Sequence, residues 1–199
     1  MSIILIFSII VSYLIGSICS AIIVAKICHL PDPRQFGSHN PGATNVLRLS
    51  GKKYAAIVLG ADLCKGLIPV GIASLCHIKL IIIGAIGLAA VVGHIYPIFF
   101  KFKGGKGVAT TLGVLFGINP LLGLTICLIW LIIALITKYS SLAALLSLLC
   151  APLLAILFTG KPEIFPALFG IWILIVYTHQ NNVLRLRDGA EPTINWRKK

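Results

Sequence analysis

Six long apolar runs make up most of this sequence. They occupy residues 3–25, 54–77, 80–100, 108–137, 140–159 and 163–179. A helix needs about 20 predominantly apolar residues to cross the hydrocarbon core of a bilayer, and most of these runs have that length. Only 11% of the 199 residues are charged, far below the roughly 25% of soluble domains. The sequence therefore predicts an all-α polytopic membrane protein in which residues 1–199 form a single domain.

The run at residues 108–137 is too long for one ordinary span, and Asn119-Pro120 interrupts it. Proline lacks a backbone N–H and biases the residue before it away from helix. We therefore predict a short helix near 108–118 and a full one near 121–137, which gives about seven transmembrane helices. Five is the alternative, if two segments re-enter the membrane without crossing it.

The basic residues indicate the orientation of the chain. The formal net charge is +12, and the basic residues concentrate in segment 26–53, in connector 101–107 and in the C-terminal tail. Short loops rich in Lys and Arg stay in the cytoplasm, so we expect the N-terminus outside and the C-terminus in the cytoplasm. Basic residues beside apolar runs favour contacts with anionic membrane lipids or an anionic substrate, and not with nucleic acid.

The first candidate site lies in a cytoplasmic segment just before a membrane helix. Its candidate phosphate-binding residues are Gly37, Ser38, Asn40, Gly42, Asn45 and Arg48. Glycines permit positive φ, a loop of this kind can form a nest of N–H groups around an anion, and an arginine can clamp a phosphate with two hydrogen bonds. The alternative is an ordinary polar turn that caps a helix.

The second candidate site joins His94 with Gly104, Gly105, Lys106 and Gly107. The glycines and the lysine precede a helix, where free N–H groups and the helix dipole favour an anion. The stretch is not a Walker A loop, because GxxxxGK[ST] is absent. The alternative is a basic cytoplasmic connector with flexible glycines, which does not explain why glycines surround Lys106.

The third candidate site begins where the last apolar run ends. His179, Asn182 and Arg185 are three residues apart and share one helical face. The alternative is a helix end with ordinary interfacial polar residues.

Asp62 and Lys65 lie within an apolar run, where a charge is costly unless it is paired or faces a polar cavity. We expect them to form an ion pair, to line a substrate pocket, or both.

Outside the membrane runs the acidic residues are few, and they lie in loops or in the tail. No nucleophile-and-base signature and no metal-ligand cluster is present, so we expect no metal and no cofactor. The three candidate sites instead supply cations and hydrogen-bond donors. They are suited to phosphate-bearing anions at the membrane surface.

The three segments GSHNPGATNVLR, GHIYPIFFKFKGGKGVAT and HQNNVLRL, in that order, resemble the signature motifs of the bacterial acyl-phosphate-dependent glycerol-3-phosphate acyltransferases (the PlsY family). The resemblance covers essentially the whole chain, including the Asp62-x-x-Lys65-Gly66 element. One departure is His39, where the family usually has glycine; its Cβ restricts the loop.

The resemblance implies acyl transfer from an acyl phosphate to the 1-hydroxyl of sn-glycerol 3-phosphate. The products are 1-acylglycerol 3-phosphate (lysophosphatidic acid) and phosphate, and the reaction belongs to phospholipid biosynthesis. It also implies a seven-helix enzyme of the bacterial inner membrane with a cytoplasmic active site. The catalytic residues would be Ser38, Arg48, Lys106, His179 and Asn182. The proton of the attacking hydroxyl could pass to His179 or to the phosphate of the substrate. The alternative function is an organic-anion transporter or channel.

Overall fold

The structure is a computed structural model that describes residues 2–194, and within that range it contains helices and no strands. The α-helices are α1 (Ser2–Gly16), α2 (Ser20–Ile27), α3 (Ala43–Ser50), α4 (Lys52–Leu75), α5 (Leu80–Ile95), α6 (Val108–Ile118), α7 (Pro120–Thr137), α8 (Ser140–Thr159), α9 (Phe165–Thr178) and α10 (Gln180–Arg187). Short 3-10 helices follow α5 at Ile98–Phe100 and precede α9 at Pro162–Ile164. The predicted all-α class is confirmed.

Four helical segments, formed by α4, α5 with its 3-10 turn, α7 and α8, are long and apolar enough to cross a membrane. Two bent pairs raise the number to six if each pair is one span: α1 with α2, bent by 43°, and α9 with α10, bent by 60°. The 11 residues of α6 extend about 16 Å, roughly half the hydrocarbon thickness. Seven crossings and the orientation of the termini therefore stay predictions.

The break between α6 and α7 lies where the sequence predicts it. Asn119 has extended backbone and caps α7, because its side-chain oxygen accepts hydrogen bonds from the N–H groups of Leu121 (2.9 Å) and Leu122 (3.2 Å). Pro120 occupies the first turn of α7, where a missing N–H costs nothing. The split of this apolar run into a short and a full helix is confirmed.

Helix α6 packs in parallel against the second half of α4. A Cβ on Gly66 would overlap the carbonyl of Thr110, and a Cβ on Gly113 would overlap the carbonyl of Leu63, so the two backbones touch. Further along, the hydroxyl of Ser74 donates to the carbonyl of Gly117 (2.8 Å). The start of α6 is thus level with Gly66, about 20 Å along α4 from its first residue.

Large apolar side chains cover the outside of the bundle, as expected for helices that face lipid. The interior carries an apolar core and, near the start of α6, a set of buried polar side chains. These are Ser20, Asp62, Lys65, His94, Thr110, His179, Asn182 and Glu191. Buried polar groups in a membrane bundle mark a functional region.

Candidate active site

Lys106 is partly buried and contacts one member of the buried polar set. Its ammonium donates a hydrogen bond to the side-chain oxygen of Asn182, 76 residues later in the chain. The amide nitrogen of Asn182 in turn donates to Oε1 of Glu191 (2.6 Å). A carboxylate only accepts hydrogen bonds, so Glu191 fixes the amide with its oxygen toward Lys106.

Glu191 also ties the C-terminal segment to two helices. Its carboxylate accepts hydrogen bonds from the Ser141 hydroxyl on α8 (2.6 Å) and from Nε of Arg185 on α10 (2.8 Å). Burial by itself raises the pKa of Glu191, but the hydrogen bonds from Ser141, Asn182 and Arg185 outweigh it and lower the pKa. Sequence reasoning missed Glu191. The signal available in the sequence was Gly189, a residue type common in turns. In the structure it adopts a positive φ of 66° and turns the chain back toward α10.

The ammonium of Lys106 is tuned by its surroundings. Burial lowers its pKa from the usual range to about 8, with Glu191 opposing the shift and Arg185 and Arg48 adding to it. A lysine with this pKa is mostly charged at neutral pH and is poorly solvated. It is therefore prepared to receive an anionic oxygen, which would replace the water that burial has removed.

The glycines before Lys106 have structural roles. The N–H of Gly104 donates to the carbonyl of Ile95 (3.1 Å), and the N–H of Gly105 donates to the carbonyl of His94 (3.1 Å). A Cβ on Gly105 would overlap the imidazole of His94. Each of these two amides therefore has an acceptor at the end of α5, and a role of Gly104 and Gly105 in binding phosphate stays a prediction. His94 itself is 7% exposed and lies behind the loop.

The amides nearest α6 remain available. The N–H groups of Lys106 and Gly107 have no acceptor within the part of the chain that the structure describes. Gly107 adopts a φ of 88° as the N-cap of α6, a conformation that favours glycine, and directs the chain into the helix. The first-turn N–H groups of α6 add the positive end of a helix dipole beside the ammonium of Lys106.

The loop of the first candidate site is organised by Asn45, which is 1% exposed. Its side-chain oxygen accepts from the N–H of Ser38 (3.0 Å), and its amide nitrogen donates to the carbonyls of Pro33 (2.8 Å) and Phe36 (3.0 Å). A Cβ on Gly37 would overlap the Asn45 side chain. The side-chain donors and acceptor of Asn45 are thus engaged within the loop, and a contact between Asn45 and phosphate stays a prediction.

His39 adopts a left-handed φ of 57°. This conformation costs an ordinary residue roughly 1 kcal/mol or more, which explains a preference for glycine at this position. The ring compensates in part, because Nδ1 of His39 lies 3.2 Å from the carbonyl of Arg34. The loop therefore keeps its shape although the glycine is absent.

The remaining polar residues of this segment lie at its surface. The side chain of Ser38 is exposed and that of Asn40 is half-buried. The N–H of Gly42 donates to the carbonyl of Asn40 (2.9 Å), and Gly42 begins α3 as its N-cap. Arg48 on α3 is exposed, yet near enough to depress the pKa of Lys106. Arg48 is thus an exposed cation near Lys106, and a role of Ser38 at the same site stays a prediction.

His179 occupies the bend between α9 and α10 and is 3% exposed. Its Nδ1 lies 2.8 Å from the carbonyl of Ile175. A carbonyl only accepts, so Nδ1 carries the hydrogen, and in the neutral ring Nε2 presents a lone pair. The Thr178 hydroxyl lies 2.9 Å from the carbonyl of Ile175 and 3.1 Å from that of Lys106, so the bend contacts the lysine loop.

Asp62 and Lys65 form the expected ion pair, with Lys65 Nζ 2.5 Å from Asp62 Oδ1. Ser20 at the start of α2 donates to the same Asp62 oxygen. Nδ1 of His94 lies 3.7 Å from this same oxygen. Since His94 packs against Gly105, the ion pair and the Lys106 loop are two sides of one buried layer. That Asp62 and Lys65 contact a substrate stays a prediction.

Taken together, these side chains can neutralise and orient the phosphate groups of a bound molecule. They also offer one neutral imidazole nitrogen and hydrogen-bond donors for a hydroxyl and a carbonyl of that molecule. Within residues 2–194 no group of three or more metal-ligating side chains could hold a metal ion. The fold and this site define a multi-pass membrane protein with a cationic site suited to phosphate esters.

The chain belongs to the glycerol-3-phosphate acyltransferase family, whose model matches residues 6–189. The glycerol-3-phosphate acyltransferase of Legionella pneumophila (strain Corby) is 50% identical over 192 residues, which cover 96% of this chain and 69% of that protein. The Haemophilus ducreyi protein of the same name is 50% identical over 190 residues, 96% of this chain and 94% of its own length.

Two solved structures are similar over nearly the whole chain. Both are of PlsY (YgiH), an integral membrane glycerol 3-phosphate acyltransferase. Its glycerol 3-phosphate form has a TM-score of 0.91 and 40% identity, and covers 96% of each chain. Its lysophosphatidic acid form has a TM-score of 0.88 and 39% identity, with 96% of this chain and 95% of that chain covered.

Proposed function

We propose that this protein transfers an acyl group from an acyl phosphate to the 1-hydroxyl of sn-glycerol 3-phosphate, giving 1-acylglycerol 3-phosphate and phosphate. The observation that carries the proposal is the partly buried ammonium of Lys106, which is hydrogen-bonded to Asn182 and lies in the loop whose last amides, before α6, are available. Family membership supports the same activity. So do the glycerol 3-phosphate and lysophosphatidic acid forms of the similar structures.

Phosphate recognition is assigned to the solvent side of the site. Lys106, Arg48 and Ser38 supply two cations and a hydroxyl, and the N–H groups of Lys106 and Gly107 complete the set. Both substrates carry phosphate, which accounts for a site richer in cations than in carboxylates. The carboxylate that contacts Asn182, Glu191, is engaged by three donors and serves to orient that amide.

The chemical step needs no covalent enzyme intermediate, because an acyl phosphate is already an activated anhydride. The 1-hydroxyl oxygen forms a bond to the acyl carbon, the bond between that carbon and the phosphate oxygen breaks, and phosphate leaves with the electron pair. The hydroxyl proton passes to Nε2 of His179 or to a substrate phosphate. In this proposal Lys106 and Asn182 stabilise the negative charge that develops on the carbonyl oxygen, so the rate arises from positioning and charge stabilisation.

For the topology we propose seven crossings within one domain spanning residues 1–199, with α6 as the short seventh. The N-terminus would lie outside and the C-terminus and active site on the cytoplasmic side of a bacterial inner membrane. The support is the concentration of Lys and Arg in segments 26–53, 101–107 and 185–199. These basic segments would also contact anionic lipids.

The test is phosphate release by the purified protein from palmitoyl phosphate, with and without glycerol 3-phosphate. We expect release that depends on glycerol 3-phosphate and is matched by lysophosphatidic acid. A monodisperse sample that forms no lysophosphatidic acid would contradict the proposal. Glycerol 3-phosphate flux into vesicles without turnover would instead favour an organic-anion transporter.

A further inference from the structure

The loop before Lys106 is attached to the C-terminal end of α5 by its backbone. The N–H of Gly104 donates to the carbonyl of Ile95, and the N–H of Gly105 donates to the carbonyl of His94, each at 3.1 Å. The last carbonyls of a helix lack partners within the helix, so both hydrogen bonds use acceptors that α5 leaves open. The next N–H, that of Lys106, has no acceptor in the described part of the chain. Gly105 is therefore the last residue of the loop that α5 holds through a backbone hydrogen bond.

The side chain of His94 contacts the same glycine. A Cβ built on Gly105 would overlap Nε2 of the imidazole, so the ring fills the space that a side chain at position 105 would occupy. The ring is itself buried. Protein interiors are close-packed, and even a small change of volume in such a contact displaces the neighbouring atoms. The size of the imidazole thus helps to set the position of Gly105.

The imidazole also lies beside a buried ion pair. Nδ1 of His94 is 3.7 Å from Oδ1 of Asp62. The same oxygen is 2.5 Å from Nζ of Lys65 and accepts a hydrogen bond from the Ser20 hydroxyl. Separating such a pair would leave an unpaired charge in the interior of a membrane bundle, so moving Asp62 is costly. The ring of His94 therefore has a firmly held neighbour on α4.

A second helix contacts the loop one residue further on. The Thr178 hydroxyl at the end of α9 lies 3.1 Å from the carbonyl of Lys106. Asn182, which accepts a hydrogen bond from the Lys106 ammonium, follows on α10. A displacement of Gly105 would therefore move Lys106 relative to the side chain that orients its ammonium.

We propose that His94 is a positioning residue for Lys106. Its imidazole, supported by the ion pair of Asp62 and Lys65, sets the position of Gly105 and so places the next residue for its contact with phosphate. In this role His94 touches no reacting atom and acts through the backbone of the loop. The inference rests on the proposed acyl transfer, in which Lys106 binds phosphate, and adds the side chain that controls where the ammonium lies.

The first measurement compares His94→Ala with the wild type in the assay for lysophosphatidic acid. Loss of the ring leaves Gly105 unsupported, so we expect the KM for glycerol 3-phosphate to rise about tenfold, equivalent to about 1.4 kcal/mol. KM does not depend on the concentration of folded enzyme, so a purely structural role would lower the melting temperature and leave KM unchanged. Ile83→Ala is the matched control, because Ile83 is a buried residue of α5 about three turns from His94. It should lower the melting temperature and leave KM near the wild-type value.

A double variant distinguishes positioning of the loop from a direct contact between His94 and phosphate. Gly105→Ala places a methyl group against the imidazole and should itself raise the KM for glycerol 3-phosphate. His94→Ala removes the ring that this methyl group meets. The double variant should therefore have a lower KM than either single variant, within about threefold of the wild type. His94→Gln should also stay within about threefold of the wild type, because its amide extends into the space of the ring.

Two results would overturn the proposal. One is an unchanged KM for glycerol 3-phosphate in monodisperse His94→Ala, and the other is a double variant whose KM is at least as high as that of Gly105→Ala. If His94→Ala is not monodisperse, His94→Val leaves a smaller cavity and replaces it in both the single and the double variant. The wild type in the same assay separates these results from a failure of the proposed acyl transfer, because it would still form lysophosphatidic acid if only the role of His94 is wrong.

Discussion

Raising the pH from 7 to 9 should weaken the reaction with glycerol 3-phosphate by discharging Lys106. Its pKa of about 8 reflects burial first, with Arg185 and Arg48 adding to the shift. A lysine is charged below its pKa, so about nine-tenths of the molecules carry the ammonium at pH 7 and about one-tenth at pH 9. The ratio kcat/KM reports the ionisation of the free enzyme. It should therefore fall about tenfold over this interval.

The assay is initial-rate formation of lysophosphatidic acid at saturating palmitoyl phosphate, with hydrolysis in the absence of protein subtracted at each pH. Lys106→Arg is the control, because a guanidinium stays charged throughout this range. Its absolute activity should be lower, since a planar fork does not replace a compact ammonium. Its kcat/KM should nevertheless be flat between pH 7 and 9.

Two results would refute this reasoning. If the wild-type kcat/KM is constant between pH 7 and 9, the lysine is not discharged in this range or its charge does not matter. If Lys106→Arg shows the same tenfold fall, another group titrates. In either case the link between burial of the ammonium and recognition of phosphate would be wrong.

Three further predictions follow from the site. His179→Ala should lower kcat about 100-fold or more with little change in the KM for glycerol 3-phosphate, if Nε2 accepts the proton; a change confined to KM would make it a binding residue. Gly105→Ala should lower the melting temperature in detergent, because the added Cβ overlaps the buried imidazole of His94. Overpacking of this kind costs about 1–3 kcal/mol. The control Gly170→Ala should leave the melting temperature unchanged, because nothing lies within 4 Å of its added Cβ. Asp62→Asn should destabilise the protein by about 3–5 kcal/mol, because it leaves the Lys65 ammonium buried without its counter-ion. Adding Lys65→Met should restore much of the lost stability. A double variant that is no more stable than Asp62→Asn would count against a stabilising Asp62–Lys65 ion pair.

Periodicity and charge sufficed to predict the helical class and the break at Asn119. The spacing of three residues also indicated that Asn182 and Arg185 share a face of α10, where both contact Glu191. Each of these depends on residues close together in the chain. The role of Glu191 could not be predicted in this way, because its partner Ser141 is 50 residues distant and meets it only through the reversal at Gly189.

The glycines before Lys106 likewise show what could not be predicted from the sequence. The sequence shows that side chains are absent at Gly104 and Gly105, but it does not show what takes their place. In the structure the space is filled by the carbonyls of Ile95 and His94 and by the His94 ring. Asn45 was likewise identified as a polar residue of the right segment, and only the folded loop shows that its hydrogen-bonding capacity is used internally.

The start of α6 lies beside the middle of α4, and this position has a consequence for how the rate of acyl transfer depends on the composition of the bilayer. A site at this depth would meet glycerol 3-phosphate from a three-dimensional aqueous pool and the acyl donor from a two-dimensional one. The first substrate is then counted in moles per litre and the second as a mole fraction of the bilayer. Inert lipid added at constant total donor would slow the enzyme by surface dilution, while the same volume of buffer would reduce only the supply of glycerol 3-phosphate.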